Sequence, residues 1–447
     1  MARGIDPLIL PLLALVAASP RPALAWDDHS LLTRPALERV PGIVFRPPAE
    51  VEPLEHFLAA EEVGLAALLA EEDAWAAAQV PTWPALPPAL AFRAGGDPAT
   101  RRARFLEALR VAPDARLALY LKLPPDAVAE GGEGMPWADV TTLRDPGALG
   151  HARLRPLAAG EGVAPLEVLI SACDEPDYGL DLGLWEDSGT PWGRRYGLGA
   201  QPFGDPAKEY GSQAPLHMGL YHESAIVYFA AGFLRRTYPE VRVHQFRALA
   251  RYAIATGHDY WGWRFGGWAL HYVQDQTMPY HARVLPGVGV LRMLWVSALD
   301  LLGFPGPRAD TVRQVSNRHT VVEQWVRETL EVGEPEVGAS LRAALADVSG
   351  DFAYSPWDER SLRDGVAAGA AARADALDAA LVRWVPARLV SDPGYVMGET
   401  EPDVDLRARV QGAGPTANAA LEPVMAPLLA DFGAASRVFL ASLGDER

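Results

Sequence analysis

The chain has 447 residues, with 40 Lys+Arg against 57 Asp+Glu, a formal net charge of −17. Its balance of 49% hydrophobic and 22% charged residues is globular and excludes a disordered chain; its 41 Gly and 39 Pro fall without period and exclude collagen. The acidic excess argues against a basic surface that grips nucleic acid, though not against a nuclease whose metal ions supply the positive charge. One cysteine, Cys173, excludes internal disulfides and a Cys-based zinc site.

The first expected element is an address. Arg3 opens a short basic region, residues 8–18 (LILPLLALVAA) are apolar, and an A-x-A site ends at Ala25. This predicts a secretory signal peptide over 1–25, because the apolar run falls short of the ~20 residues a spanning helix needs. Cleavage leaves Trp26 as the first residue, in a periplasmic or secreted protein.

The mature chain reads as helical. Residues 54–79 are rich in Ala, Leu and Glu at helical spacing, and four prolines between 81 and 88 end that helix. A short helix is expected over 100–112. Residues 117–123 read as either a strand or a helix end, and 124–215 as loop. Helical patterns return over 224–237, 243–256, 260–274, 310–332, 340–347, 361–384 and 415–443. No stretch alternates with period two, and no repeat or long linker divides the chain. The expected class is all-α.

Residues 288–304 (VGVLRMLWVSALDLLGF) form the most apolar stretch of the mature chain, interrupted by Arg292 and Asp300. They are too few and too charged to span a bilayer. Two readings remain: a buried helix, or an amphipathic element that touches lipid beside an active site.

The chemistry-bearing residues lie close by. His is scarce, at ten in the chain. His271 and Asp275 stand four apart on an expected helix, so their side chains share a face and can hold one ion. Pro279 ends that helix, which frees His281 to reach a neighbouring ion. His319 and Glu323 repeat the four-residue spacing on another helix. Paired His and carboxylate residues on facing helices build metal clusters, and this donor set suits zinc at a hydrolytic site.

The pattern H-x3-D-x5-H followed by H-x3-E resembles the zinc-dependent phospholipase C and single-strand nuclease superfamily. A first residue of Trp is similar to the family's mature N-terminus. The stretch from Gln245 to the Pro279-Tyr280-His281 turn is similar to helices of the bacterial phospholipases C. The resemblance covers 26–34 and 172–327. It implies a multi-helix fold around a trinuclear zinc cluster, with insertions. It also implies a domain over 26–335, holding a large insertion at 34–171, and a helical extension over 336–447 packed on it.

Carried over by residue, the resemblance implies three zinc ions. The first would be held by His271, Asp275, Asp177 and a histidine for which His217 is preferred and His222 is the rival. The second would be held by His281, His319 and Glu323. The third would be held by His29 and the amino and carbonyl groups of Trp26, with Asp275 bridging it to the first. Asp177 would orient or deprotonate the attacking water, with Asp174 as the alternative. Tyr178 would contact a quaternary ammonium headgroup. The implied activity is phosphodiester hydrolysis by a zinc-bridging hydroxide, on phospholipid in preference to single-stranded nucleic acid. The same set also fits a nucleotidase, or a non-catalytic envelope protein that keeps zinc. Peripheral membrane contact would run through 288–304, and no protein partner is indicated. His29 stands closer to Trp26 than the family's usual spacing. His56, His151, His244 and His258 read as structural or surface residues, Trp261, Trp263 and Trp268 as core, and Cys173 as a bystander.

Overall fold

The computed structural model describes residue 26 and residues 28–125, 127, 134–144, 152–332, 334–401 and 404–444. The expected signal peptide over 1–25 and His151 lie outside the described residues. The chain is mostly helical, 60% helix and 3% strand. Among the described residues the strands form two short antiparallel ladders: Ala49–Glu50 with Gly162–Val163, and Tyr120–Lys122 with Leu154–Pro156. The second decides the reading of 117–123 for strand, over Tyr120–Lys122.

The fold is organised around the helix Asp259–Asp275, in which every residue from Tyr260 onward is buried. It packs against the helices Pro239–Ala255, Pro165–Ala172 and Ala417–Gly444. Trp261, Trp263 and Trp268 lie in this core as expected. Ala417–Gly444 has an 18-residue window of mean hydropathy 1.4, yet 61% of that window is buried inside the protein. It therefore acts here as a core helix, and it ties residues beyond 336 into the same core as His29–Leu37.

Several boundaries differ from expectation for local reasons. The helix over 54–79 is two, Leu54–Ala60 and Glu62–Gln79, because the chain bends at Glu61. The helix Arg101–Leu109 ends earlier than 112, where Arg110 turns left-handed at φ 52°. The loop-rich stretch contains Pro165–Ala172, a short helix opened by a proline whose missing N–H has no partner to lose there. The helix expected over 224–237 is split into Ala225–Ala230 and a tight turn at Gly232–Arg235.

Candidate metal centre

One face of Asp259–Asp275 does most of the positioning. Arg264, Trp268, His271 and Asp275 follow helical spacing and share that face. Arg264 makes a two-pronged ion pair with Glu175, at 2.8 and 2.9 Å, and the Trp268 indole donates to the same carboxylate at 2.5 Å. These bonds hold the segment 173–181 against the helix. Gly267 permits the close approach, since a Cβ there would lie 2.6 Å from both the Ala172 Cβ and the Leu169 carbonyl. The Cys173 carbonyl is then 2.7 Å from His271 Nδ1. That backbone oxygen is the contribution of Cys173 to the site; burial pushes its thiol well up.

After Glu175 the chain makes a wide helical turn, Pro176–Leu180, with Gly179 at φ 129°. A side chain is strained in that conformation, and a Cβ would meet Thr142 Oγ1 at 2.5 Å. The turn presents Asp177 and Asp181. His217 ends the short helix Ala214–His217, and His29 begins His29–Leu37. His281 follows Pro279 on Pro279–Ala282. His319 and Glu323 lie on Gly306–Glu331.

These side chains converge. His217 Nδ1 lies 3.0 Å from Asp275 Oδ2, 3.0 Å from His271 Nε2 and 3.7 Å from Asp177 Oδ1. His271 Nε2 lies 3.5 Å from Asp275 and 3.8 Å from Asp177. His29 Nε2 reaches Asp275 Oδ1 at 3.3 Å, and His319 Nε2 reaches Glu323 at 2.7 Å. His281 and His319 rings are 4.9 Å apart, and His281 Nδ1 is 4.0 Å from Asp275. Donors of one tetrahedral zinc, each about 2.05 Å from it, stand about 3.3 Å apart. Most of the contacts in the His29, His217 and His271 group bracket that spacing. Among the described residues, three sets of donor atoms each lie within 4.8 Å: His29, Asp177, His271; His217, His271, Asp275; and His281, His319, Glu323.

Three of the rings, His29, His271 and His281, have one nitrogen anchored by a hydrogen bond, as metal ligands need. His29 Nδ1 pairs with Gln274 Oε1 at 2.9 Å, His271 Nδ1 with Cys173 O, and His281 Nδ1 with the His217 carbonyl at 3.0 Å. His217 Nε2 faces Asp181 Oδ2 at 3.2 Å. Both Asp275 oxygens, His29 Nε2 and His319 Nε2 are buried without an aligned hydrogen bond. Such atoms cost free energy unless a cation meets them. The donor chemistry and the orphaned atoms fit zinc.

The charge states agree. Burial lowers His271 and His319 well below the usual imidazole range and His281 to about 4, so these rings are neutral, the form that binds metal. Burial also opposes charge on His29 and His217. Asp275 nevertheless raises His29 to about 9, and Asp181 with Asp275 raises His217 to about 10. Burial lifts the Asp177 carboxyl to about 7, against the pull of His217 and His29. Metal-free, the two charged imidazoles supply the positive charge the carboxylates require.

The remaining sequence candidates sort by geometry. Asp174 is 2.7 Å from the buried ammonium of Lys122, which also pairs with Asp28 at 2.7 Å, while Asp177 faces the histidines. His222 is outside the cluster, bonded to the Arg363 carbonyl at 2.8 Å. Tyr178 is packed edge-on against Trp137, and its hydroxyl donates to Asp174 at 3.3 Å. The Trp26 indole donates to Thr277 Oγ1 at 3.0 Å and to the Gln274 carbonyl at 3.2 Å, at the end of the helix that carries Asp275. His244 and His258 pair with Glu72 and Glu52, and His56 is exposed.

Asp181 was not among the sequence candidates. Arg242 donates to it at 2.6 Å and the Tyr272 hydroxyl at 2.7 Å. Its four-residue spacing from Asp177 carried a signal, but the glycine turn between them hid the shared direction. No family model, no curated protein and no solved structure matches the chain.

Proposed function

We propose that this chain is a zinc-dependent phosphodiester hydrolase of the phospholipase C kind, working outside the cytoplasm with Trp26 as its first residue. One observation carries the reading: buried His, Asp and Glu side chains from separate elements bring their donor atoms within 4.8 Å of one another, and both Asp275 oxygens, His29 Nε2 and His319 Nε2 are buried without a hydrogen bond. His217, His271, Asp177 and Asp275 would hold the first ion, and His281, His319 and Glu323 the second. His29 and the Trp26 terminus would hold the third, bridged by Asp275. Zinc supplies a water of pKa about 7 and a positive field for a phosphate. Asp177 is the carboxylate assigned to orient and deprotonate that water.

The lipid reading draws support from the helix Val290–Leu301. Leu291 is 84% exposed, Trp295 65%, Leu302 73% and Phe304 63%, with Leu294 and Leu301 on the same side. Such a stripe is expensive to leave in water, and it suits an interface. Tyr178 lends no support to a headgroup cage, because its ring is buried in a packed cluster.

The test uses the chain beginning at Trp26, loaded with zinc, on phosphatidylcholine vesicles and on single-stranded DNA in one buffer. Chelator-sensitive release of phosphocholine is expected. Cleavage of DNA alone would replace the lipid reading with the nuclease one. Bound zinc without turnover of either would make the centre structural.

A further inference from the structure

His29, whose distance from Trp26 is short, is bonded through Nδ1 to a side chain that is itself fixed by two further hydrogen bonds, Gln274. The Gln274 side chain is fully buried beside it. Its Nε2 donates to Thr33 Oγ1 at 2.8 Å and to Ser436 Oγ at 3.1 Å. The Ser436 hydroxyl donates in turn to the Phe432 carbonyl at 2.7 Å. With its proton committed there, Ser436 can only accept from Gln274. The amide orientation is therefore fixed, and Oε1 is the atom turned to His29 Nδ1 at 2.9 Å. An oxygen at that place requires a proton on Nδ1. In the neutral ring that a metal ion would bind, the lone pair is then left on Nε2, which points at Asp275.

We infer that Gln274 is a positioning residue that sets the His29 tautomer, and that the C-terminal helix Ala417–Gly444 reaches the metal centre through Ser436. This gives residues beyond 336 a task in the site: they fix which nitrogen of His29 can ligate. Thr33, one turn along the helix His29–Leu37, and the Trp26 indole on the Gln274 carbonyl hold the same residue from the opposite end of the chain. The inference rests on the zinc reading of the centre, not on the reaction, and a zinc titration reads it whether or not any ester is cleaved.

Two substitutions separate positioning from packing. Gln274→Glu keeps an acceptor for Nδ1–H, at the cost of a buried charge. Gln274→Leu keeps bulk and removes the acceptor. Positioning predicts that the Leu variant loses about 10- to 100-fold in affinity for one of the zinc ions, while the Glu variant retains it despite a lower melting temperature. A packing role predicts the reverse order, with the Leu variant binding all zinc as the parent does, and that result overturns the inference. Competition with a chromophoric chelator gives affinity and stoichiometry. If the Leu variant does not fold, long-range 15N NMR of the parent zinc protein decides: His29 must be protonated at Nδ1 and metal-bound at Nε2. The opposite pattern overturns the inference as surely.

Discussion

The helices Asp259–Asp275 and Val290–Leu301 are both rich in apolar side chains and lie only 15 residues apart in sequence. The first buries every residue from Tyr260 onward. The second buries Met293, Val296 and Ser297 and turns Leu291, Leu294 and Trp295 to solvent. The difference lies in neighbours, not composition. The first is enclosed by three helices and carries Arg264, Trp268, His271 and Gln274, each held by another segment. The second packs chiefly on Gly306–Glu331. Apolar content alone does not locate the core; an apolar helix with fixed polar side chains marks a site, and one with an uncovered stripe marks a surface.

The largest effect should come from Asp275, the carboxylate shared between His29 on one oxygen and His217 with His271 on the other. Asp275→Asn removes a charge from two of the expected ions. Zinc content and activity should fall together, by more than the ~10- to 100-fold that loss of an outer partner costs. Metal analysis beside an ester assay checks this. Full zinc occupancy in the variant would sink the bridging assignment.

Metal removal should reverse the pH dependence of stability. In the metal-free chain, His29 is raised to about 9 and His217 to about 10. Their stabilisation is fully present below the unfolded value near 6.5 and is lost as pH rises through 9 and 10. Asp177, raised to about 7, acts in the same direction below that pH, because the folded carboxyl gives up its proton less readily than the unfolded one. The metal-free melting temperature should therefore fall from pH 6.5 to 10. The gain on adding zinc should grow over that range, because ligands must be deprotonated to bind. Thermal melts with and without zinc measure both slopes, and a flat metal-free profile would contradict the assignment of charge to His29 and His217.

The His271–Asp275 pair, the proline turn before His281 and the His319–Glu323 pair were legible in the sequence because each is a local spacing on a helix. So were the long helices, whose period persists over several turns. Of the two-stranded ladders only Tyr120–Lys122 was half legible, within a stretch that read as strand or helix end; the other strands were not, since two or three residues are too few to show alternation. Gln274, Asp181 and Gly267 escaped for a different reason. Their roles depend on which segment approaches from more than 50 residues away, as the Gln274–Ser436, Asp181–Arg242 and Gly267–Ala172 contacts show.

Gly267 gives the next effect in size. Gly267→Ala would put a Cβ against the Leu169 carbonyl and Ala172, which belong to a packed helix and have little room to yield. Overpacking of this kind costs about 1–3 kcal/mol. The same displacement moves the Cys173 carbonyl away from His271, so melting temperature and zinc affinity should drop together. A parent-like melt with parent-like zinc binding would show that the close approach is not needed.

The smallest effect on the fold should come from the other helix. Leu291 and Trp295 are 84% and 65% exposed, so Leu291→Ser with Trp295→Ser should change stability by no more than about 0.5 kcal/mol. Turnover of a short-chain, water-soluble phosphodiester should also be unchanged, because neither residue is among the metal ligands. On phosphatidylcholine vesicles the result should differ. Each large apolar side chain gains about 1.5 kcal/mol or more on leaving water, so removing two should lower vesicle-bound activity at least about tenfold. Equal loss on both substrates would place the stripe within the catalytic unit, and no loss on either would remove its link to lipid. The split between substrates isolates the surface role, since the fold and the proposed metal centre are common to both assays.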